Sequence, residues 1–119
     1  MRKLFEPIDP MAEGEEFVGD IKVGTGMTEL LWSDRHPYEV VAVRDQKHIT
    51  VRRLDYEKAP GAESYSNDWL LFSDDSLPTK DMIKIGDLWF WTWKDNGRVH
   101  RSKANVMFGE ARYYYDYSF

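Results

Sequence analysis

The sequence contains no cysteine, which excludes disulfide bonds, thiolate nucleophiles and cysteine-ligated zinc. Long hydrophobic runs are also missing. Residues 69–72 and 88–91 form apolar runs far shorter than the roughly 20 residues that cross a bilayer. No charged segment followed by an apolar one indicates a secretory signal. We therefore expect a non-membrane protein of the cytoplasm that is stabilised by packing alone.

Patterns typical of catalytic and metal sites are absent as well. The three histidines lie far apart in the sequence, and Asp74-Asp75 lacks the ligand spacing of a calcium loop. We find no phosphate-binding glycine loop, no nucleophile elbow and no pair of catalytic carboxylates. The sequence therefore predicts no catalytic residue, no metal and no cofactor, and it favours a binding protein over an enzyme.

Negative charge is concentrated at the start of the chain. The net charge is −5, and residues 1–20 carry six acidic side chains against two basic ones, a net of −4. The other 99 residues carry 15 acidic and 14 basic side chains, so they are nearly neutral. No overall positive field is present to attract nucleic acid.

Short apolar stretches separated by turn residues run through the chain from about residue 27. Residues 38–43 and 48–54 are rich in β-branched side chains and are predicted to form an antiparallel hairpin. Residues 88–93 make the clearest strand, and Asp95-Asn96-Gly97 predicts a tight turn back into 98–102. Residues 55–68 and 73–81 are polar and are predicted to be connections.

This spacing favours a mainly β fold. We predict a small antiparallel barrel or bent sheet, with an SH3-like roll as the first choice. Residues 1–16 contain prolines, a glycine and scattered acids, and they are predicted to form an irregular acidic arm. Residues 17–119 are predicted to be a single β domain.

Three tryptophans alternate along the clearest strand. In an extended chain Trp89, Trp91 and Trp93 point to one face of the sheet. Such a row can form a stacking platform for a base, a sugar or an apolar side chain of a partner. The other interpretation is that the rings pack beneath the N-terminal arm or against the C-terminal tyrosines.

Polar side chains are densest in residues 33–36. Arg35 could bind an anion there, with His36 as an acid or base. Alternatively, Asp34 pairs with Arg35 or caps its own turn, because neighbouring loop residues point in different directions.

Two segments of the chain are weakly basic. One includes Arg52 among residues 44–53, and the other includes Arg101 among residues 94–103. If their hairpins lie side by side, the basic groups form a positive patch beside the tryptophan row, as suits a nucleotide or single-stranded nucleic acid. The alternative is that these charges only protect exposed strand edges.

Aromatic residues also crowd the C-terminus. Tyr113, Tyr115 and Tyr117 share one face of an extended chain, and Phe119 ends it. Such a segment is costly to leave in water. We expect it to seal the barrel or to form the interface of a homo-oligomer.

Three segments of the chain, at residues 23–28, 33–41 and 108–119, resemble a family of small phage and prophage proteins. They contain a Gly-x-Gly start, a Ser-Asp-Arg-x-Pro-Tyr-x-Val stretch and a Tyr-x-Asp-x-Ser-Phe ending. The resemblance spans about residues 23–119, and the segment from Tyr56 to Trp69 departs from it. It implies a phage origin and brings no activity or functional residue. Small acidic phage proteins without catalytic motifs often act by binding, either to host defence proteins or to nucleotide signals.

These observations leave three functional hypotheses. The first is a phage accessory protein that binds a host protein, to counteract a host defence system. The second is a nucleotide or oligonucleotide binder. The third is an enzyme of unknown class that uses residues 34–36. The candidate ligand-binding residues are Arg35, His36, Arg52, Trp89, Trp91, Trp93 and Arg101.

Overall fold

A computed structural model describes residues 2–8, 11 and 15–117 of the chain. The expectations for residues 9, 10 and 12–14 of the N-terminal arm and for Phe119 lie outside the described residues. The described chain forms ten strands: β1 (Arg2–Leu4), β2 (Gly26–Leu30), β3 (Arg35–Asp45), β4 (His48–Arg53), β5 (Asp55–Lys58), β6 (Trp69–Asp74), β7 (Thr79–Ile85), β8 (Leu88–Asp95), β9 (Arg98–Ala104) and β10 (Val106–Phe108). The prediction of a mainly β protein is confirmed.

The strands form two antiparallel sheets. Seven strands make the larger sheet, in the order β10-β2-β3-β4-β7-β8-β9, and three make the smaller one, in the order β1-β6-β5. The predicted hairpins are present as β3–β4 and β8–β9. The second of these turns at Asn96 and Gly97, whose φ angles are 50° and 75°. Two positive φ angles match the right-handed twist of the flanking strands, and Asn-Gly tolerates them.

The larger sheet curls into a half-barrel, and its chain connectivity shows why. Strands β9 and β10 lie at opposite edges of the sheet, yet only Asn105 separates them in the sequence. The two edges must therefore approach one another where β9 ends. The Asn105 carbonyl accepts a hydrogen bond of 2.7 Å from the Leu30 amide of β2. The predicted small barrel or bent sheet is confirmed.

The hydrophobic core fills the concave side of this sheet. Its members come from every strand of the larger sheet except β10: Met27, Tyr38, Val40, Ile49, Val51, Met82, Trp89 and Ala104. Ile21 also belongs to the core, and Phe17 packs against it from outside the strands. The Phe17 and Phe108 ring centres are 6.4 Å apart, and those of Phe108 and Trp89 are 5.2 Å apart. The segment around Phe17 thus closes one end of the half-barrel.

Two strands occupy segments that were predicted to be connections. Strand β5 lies in the predicted loop 55–68, and β7 begins inside the predicted connection 73–81. Both start with polar residues, which weakens the sequence signal for a strand. Pairing with neighbours stabilises them: β5 pairs with β6, and β7 pairs with β4 and β8.

Part of the N-terminal arm belongs to the smaller sheet. Arg2–Leu4 pairs antiparallel with β6. The Arg2 guanidinium lies 3.9 Å from the centre of the Phe72 ring and contacts Asp55 and Glu57 at 2.9 and 2.6 Å. Farther along, the Ile8 amide donates to the Gly24 carbonyl at 3.1 Å. These contacts hold the described part of the arm against both sheets.

The described residues contain no helix that could span a bilayer.

Candidate functional site

The register of β8 places the three alternating tryptophans on the concave face. Trp89 pairs with Ala104, Trp91 with Met82 and Ser102, and Trp93 with His100. Residues directly opposite one another in a sheet project to the same side, so the core residues Met82 and Ala104 identify that side as concave. The predicted common face of the row is confirmed.

Burial decreases steadily along this row. Trp89 is 9% exposed and belongs to the core, Trp91 is half-buried, and Trp93 is 48% exposed. Trp89 is thus a core side chain, in keeping with the packing interpretation. Towards the open end of the half-barrel, Trp91 packs against the core with its ring centre 5.4 Å from that of Tyr38, and Trp93 is the most exposed ring of the row.

A groove at this open end has a volume of about 620 Å³. Its lining residues come from β7, β8 and β9: Thr79, Lys80, Asp81, Trp91, Thr92, Trp93, Lys94 and Ser102. The Trp93 ring lies nearly parallel to the His100 ring, with an interplanar angle of 16° and a centre distance of 5.7 Å. The groove therefore combines an aromatic wall of two tryptophans with six polar or charged lining residues.

Lys80 supplies positive charge inside this groove. Its Nζ atom lies 5.1 Å from the centre of the Trp91 ring and 5.9 Å from that of Tyr38. Both distances are in the range of a cation–π contact. Asp81 also lines the groove, and its Oδ1 accepts a 2.8 Å hydrogen bond from the Thr50 hydroxyl. Lys80 went unnoticed in the sequence because β7 was not predicted there.

Arg53 adds a second cation near Tyr38 on the concave side. Its guanidinium carbon lies 5.9 Å from the centre of the Tyr38 ring, and Arg53 and Tyr38 are opposite one another in the β3–β4 pair. Its Nε atom is buried and has no hydrogen-bond partner. In the sequence, Arg53 lies in one of the two basic segments. Because successive residues of a strand project to opposite faces, its place next to Arg52 already implied that the two arginines lie on different sides of the sheet.

Arg52 and Arg101, which were predicted to flank the tryptophans, lie on the convex face of the larger sheet. Arg52 donates from Nε to the Leu77 carbonyl at 3.1 Å and approaches Glu39 at 3.9 Å. Arg101 stands over the Phe90 ring at 5.6 Å. Each is one residue out of step with the concave positions, and β7 separates the two hairpins. The structure therefore does not bring Arg52 or Arg101 to the tryptophan groove.

Arg35 and His36 make contacts that are separate from the groove. Arg35 Nη1 donates to the carbonyls of Leu31 and Asp34 at 3.2 and 3.0 Å. His36 Nδ1 lies 3.5 Å from Glu29 Oε1. Burial and the nearby Arg53 hold the pKa of His36 below its ordinary value, although Glu29 acts in the opposite direction.

Asp34 holds the C-terminal segment rather than an external ligand. Its Oδ1 atom accepts a 3.0 Å hydrogen bond from the Asp116 amide, and Arg35 forms a β-bridge with Tyr114. Asp34 and Arg35 thus bond to nearby backbone groups, whereas His36 faces Glu29.

The C-terminal tyrosines have different surroundings. The Tyr113 ring stacks on Tyr56 at 3.7 Å and meets Trp69 edge-on at 4.6 Å, so it joins the smaller sheet to the barrel. Burial raises the pKa of Tyr113. Tyr115 and Tyr117 contact one another at 4.9 Å and stay partly exposed.

Trp32 is a surface residue that the sequence did not single out. Strand β2 ends at Leu30, and Trp32, two residues beyond it, is 97% exposed. The polar residues Ser33 and Asp34 directly after it are the signal that could have placed it in a turn.

In the described ranges, no three His, Asp or Glu side chains are grouped closely enough to hold a metal ion. Comparisons of the chain with protein-family models, with curated proteins and with solved structures found no match.

Proposed function

We propose that the groove lined by Trp91 and Trp93 binds a small ligand that joins a planar ring to negative charge. Nucleotides and short single-stranded oligonucleotides are the ligand class of this description. The observation that carries the proposal is the aromatic wall of Trp91 and Trp93, with the Lys80 ammonium 5.1 Å from the Trp91 ring centre.

Stacking would supply most of the affinity. Each base stacked on an aromatic side chain contributes about 1–3 kcal/mol. Trp93 is half-exposed, and its ring lies nearly parallel to the His100 ring. The orientation of the indole ring is therefore set before a ligand binds. A ring that is already orientated loses less conformational freedom on binding.

Charge would supply orientation. Lys80 lines the groove on the concave side, and a phosphate beside it would form a charge-assisted contact. The protein as a whole carries a net charge of −5, which repels long polyanions. A mononucleotide, a cyclic dinucleotide or an oligonucleotide of a few bases therefore fits better than duplex DNA.

A titration with mononucleotides, cyclic dinucleotides and a short oligothymidine tests this proposal. We expect quenching of tryptophan fluorescence and a rise in Tm with at least one of them. At a ligand concentration 100 times Kd, the added stability is about 2.7 kcal/mol.

Variants then locate the binding site. Trp93→Ala is expected to weaken binding about 5- to 150-fold, the equivalent of one lost stacking contact. Lys80→Gln is expected to weaken it and to reduce its salt dependence. Trp32→Ala is the matched control, because it removes an exposed tryptophan outside the groove. No quenching and no Tm shift across the panel, or equal losses in Trp93→Ala and Trp32→Ala, would contradict the proposal.

A second observation favours a protein partner, and we propose that this partner is a host protein if the chain is a cytoplasmic accessory protein of phage origin, as the resemblance implies. Trp32 is almost fully exposed, Leu31 beside it is also exposed, and the bridge between Arg35 and Tyr114 brings the tyrosine segment to the same loop. Exposed tryptophan and tyrosine are the residues enriched at the centres of protein interfaces. An exposed aromatic surface of this kind typically marks an interaction site.

For this second function, Trp32→Ala is expected to weaken capture of the host partner at least about 30-fold, as loss of an interface centre does. The partner is first captured from host lysate and then measured as a purified protein by calorimetry. Trp93→Ala is the control and should keep full affinity. Unchanged affinity in Trp32→Ala would refute this surface. So would a sedimentation experiment in which Trp32→Ala only dissociates a homo-oligomer.

A further inference from the structure

Strand β9 is an edge strand whose side chains are exposed from Arg98 to Lys103. It is the last strand of the larger sheet and pairs only with β8 among the described residues. An edge strand presents unpaired backbone groups to solvent, and these can accept another extended chain. The inference that follows is independent of nucleotide binding in the groove.

The register shows which backbone groups of β9 are free. Asp95 and Arg98 flank the two-residue turn and form the hydrogen-bonded pair that closes it. Hydrogen-bonded pairs in an antiparallel ladder recur at every second residue, so His100 and Ser102 point their backbone groups to β8. The N–H and C=O groups of the alternate residues Val99, Arg101 and Lys103 then point outward.

The charge of this edge selects its partner. Arg98, Arg101 and Lys103 lie along seven residues with no acidic side chain among them. A second copy of β9 paired antiparallel about Arg101 would place that arginine opposite its own counterpart, and like charges facing one another are destabilising. An acidic extended strand instead meets opposite charge at these positions.

We propose that the free edge of β9 binds an extended acidic peptide segment of another protein by adding it as an eighth strand. Acidic residues of the added strand would lie opposite Arg101 and Lys103, on the convex face. The alternate residues would lie beside His100 and Ser102 on the concave face, next to the rim of the tryptophan groove. Backbone hydrogen bonds would supply affinity, and the alternating side chains would supply specificity.

Amide hydrogen exchange with a capped peptide, Thr-Val-Glu-Val-Glu-Val-Thr, tests the proposal. At a peptide concentration ten times Kd, the outward amides of Val99, Arg101 and Lys103 are expected to exchange about tenfold more slowly. The amides of His100 and Ser102 already bond to β8 and should change much less. The control peptide carries lysine in place of both glutamates and should leave all of these amides unchanged.

Two variants of the edge complete the test. Arg101→Pro removes an outward N–H that does not bond to β8, and it should abolish the peptide effect. The double variant Arg101→Glu with Lys103→Glu should abolish it by charge alone, and it serves if the proline variant fails to fold. The proposal would be overturned if both peptides slowed amide exchange equally, or if exchange slowed at every residue of β9. It would also be overturned if the outward amides were protected without peptide, by self-association of the protein.

Discussion

Replacing Trp89 with alanine is expected to lower the free energy of unfolding by about 3–5 kcal/mol, the usual cost of removing a buried aromatic side chain. Trp89 is 9% exposed and packs against Phe108 at a ring distance of 5.2 Å. It also faces Ala104, the last residue of β9 before the chain crosses to the opposite edge of the sheet. The cavity would therefore open where the half-barrel is closed by its own chain. Urea denaturation monitored by far-UV circular dichroism measures the loss.

The matched variant is Trp93→Ala, on the same face of the same strand. Its side chain is half-exposed, and its ring contact is with the exposed His100, so the expected loss is less than about 1 kcal/mol. Trp89→Phe should recover part of the stability lost in Trp89→Ala. Similar losses in the two alanine variants would show that the gradient of burial along the row is wrong.

Replacing Tyr113 with alanine is expected to cost about 2–3 kcal/mol, since the side chain is partly exposed but makes two close ring contacts. Its ring stacks on Tyr56 of β5 and meets Trp69 of β6, while the adjacent Tyr114 pairs with Arg35 of β3. Loss of this ring would separate the smaller sheet from the barrel before the barrel unfolds. Amide exchange is therefore expected to speed up first in β5 and β6.

Tyr115→Ala is the control for this prediction. Tyr115 is 44% exposed and its ring contact is with Tyr117, so the expected change is within about 0.5 kcal/mol. If Tyr115→Ala destabilised the protein as much as Tyr113→Ala, the C-terminal segment would be stabilising the fold as a whole rather than through one ring.

The strands that the sequence predicted well are those with strong local signals. Alternation and β-branched residues indicated β3 and β4, and Asn96-Gly97 indicated the turn between β8 and β9. These signals act over a few residues, because side-chain alternation and positive φ angles are local properties. Strands β5 and β7 begin with polar residues and are stabilised by pairing with β6 and with β4 and β8, so their own sequence patterns did not indicate them.

The sequence correctly predicted that the three tryptophan rings lie on one face of the sheet, but it did not predict which cations lie beside them. The row of Trp89, Trp91 and Trp93 is on one face as predicted, but the cation beside Trp91 on that face is Lys80 rather than Arg52 or Arg101. Arg52 and Arg101 project from the convex face, because each is one residue out of step with the concave positions. Whether an arginine projects to the same face as the tryptophans of another strand can be told only when the strand order and register are known.

Local patterns were enough to predict a cysteine-free β protein, its main hairpins and the shared face of the β8 tryptophans, since each follows from a two-residue repeat or a turn dipeptide. The burial of Trp89, the exposure of Trp93 and Trp32 and the position of Lys80 beside Trp91 could not be predicted in this way. They result from the curvature of the sheet and the order of its strands. The depth of a side chain depends on how the sheet bends, and its neighbours depend on which strand, here β7, comes between two hairpins.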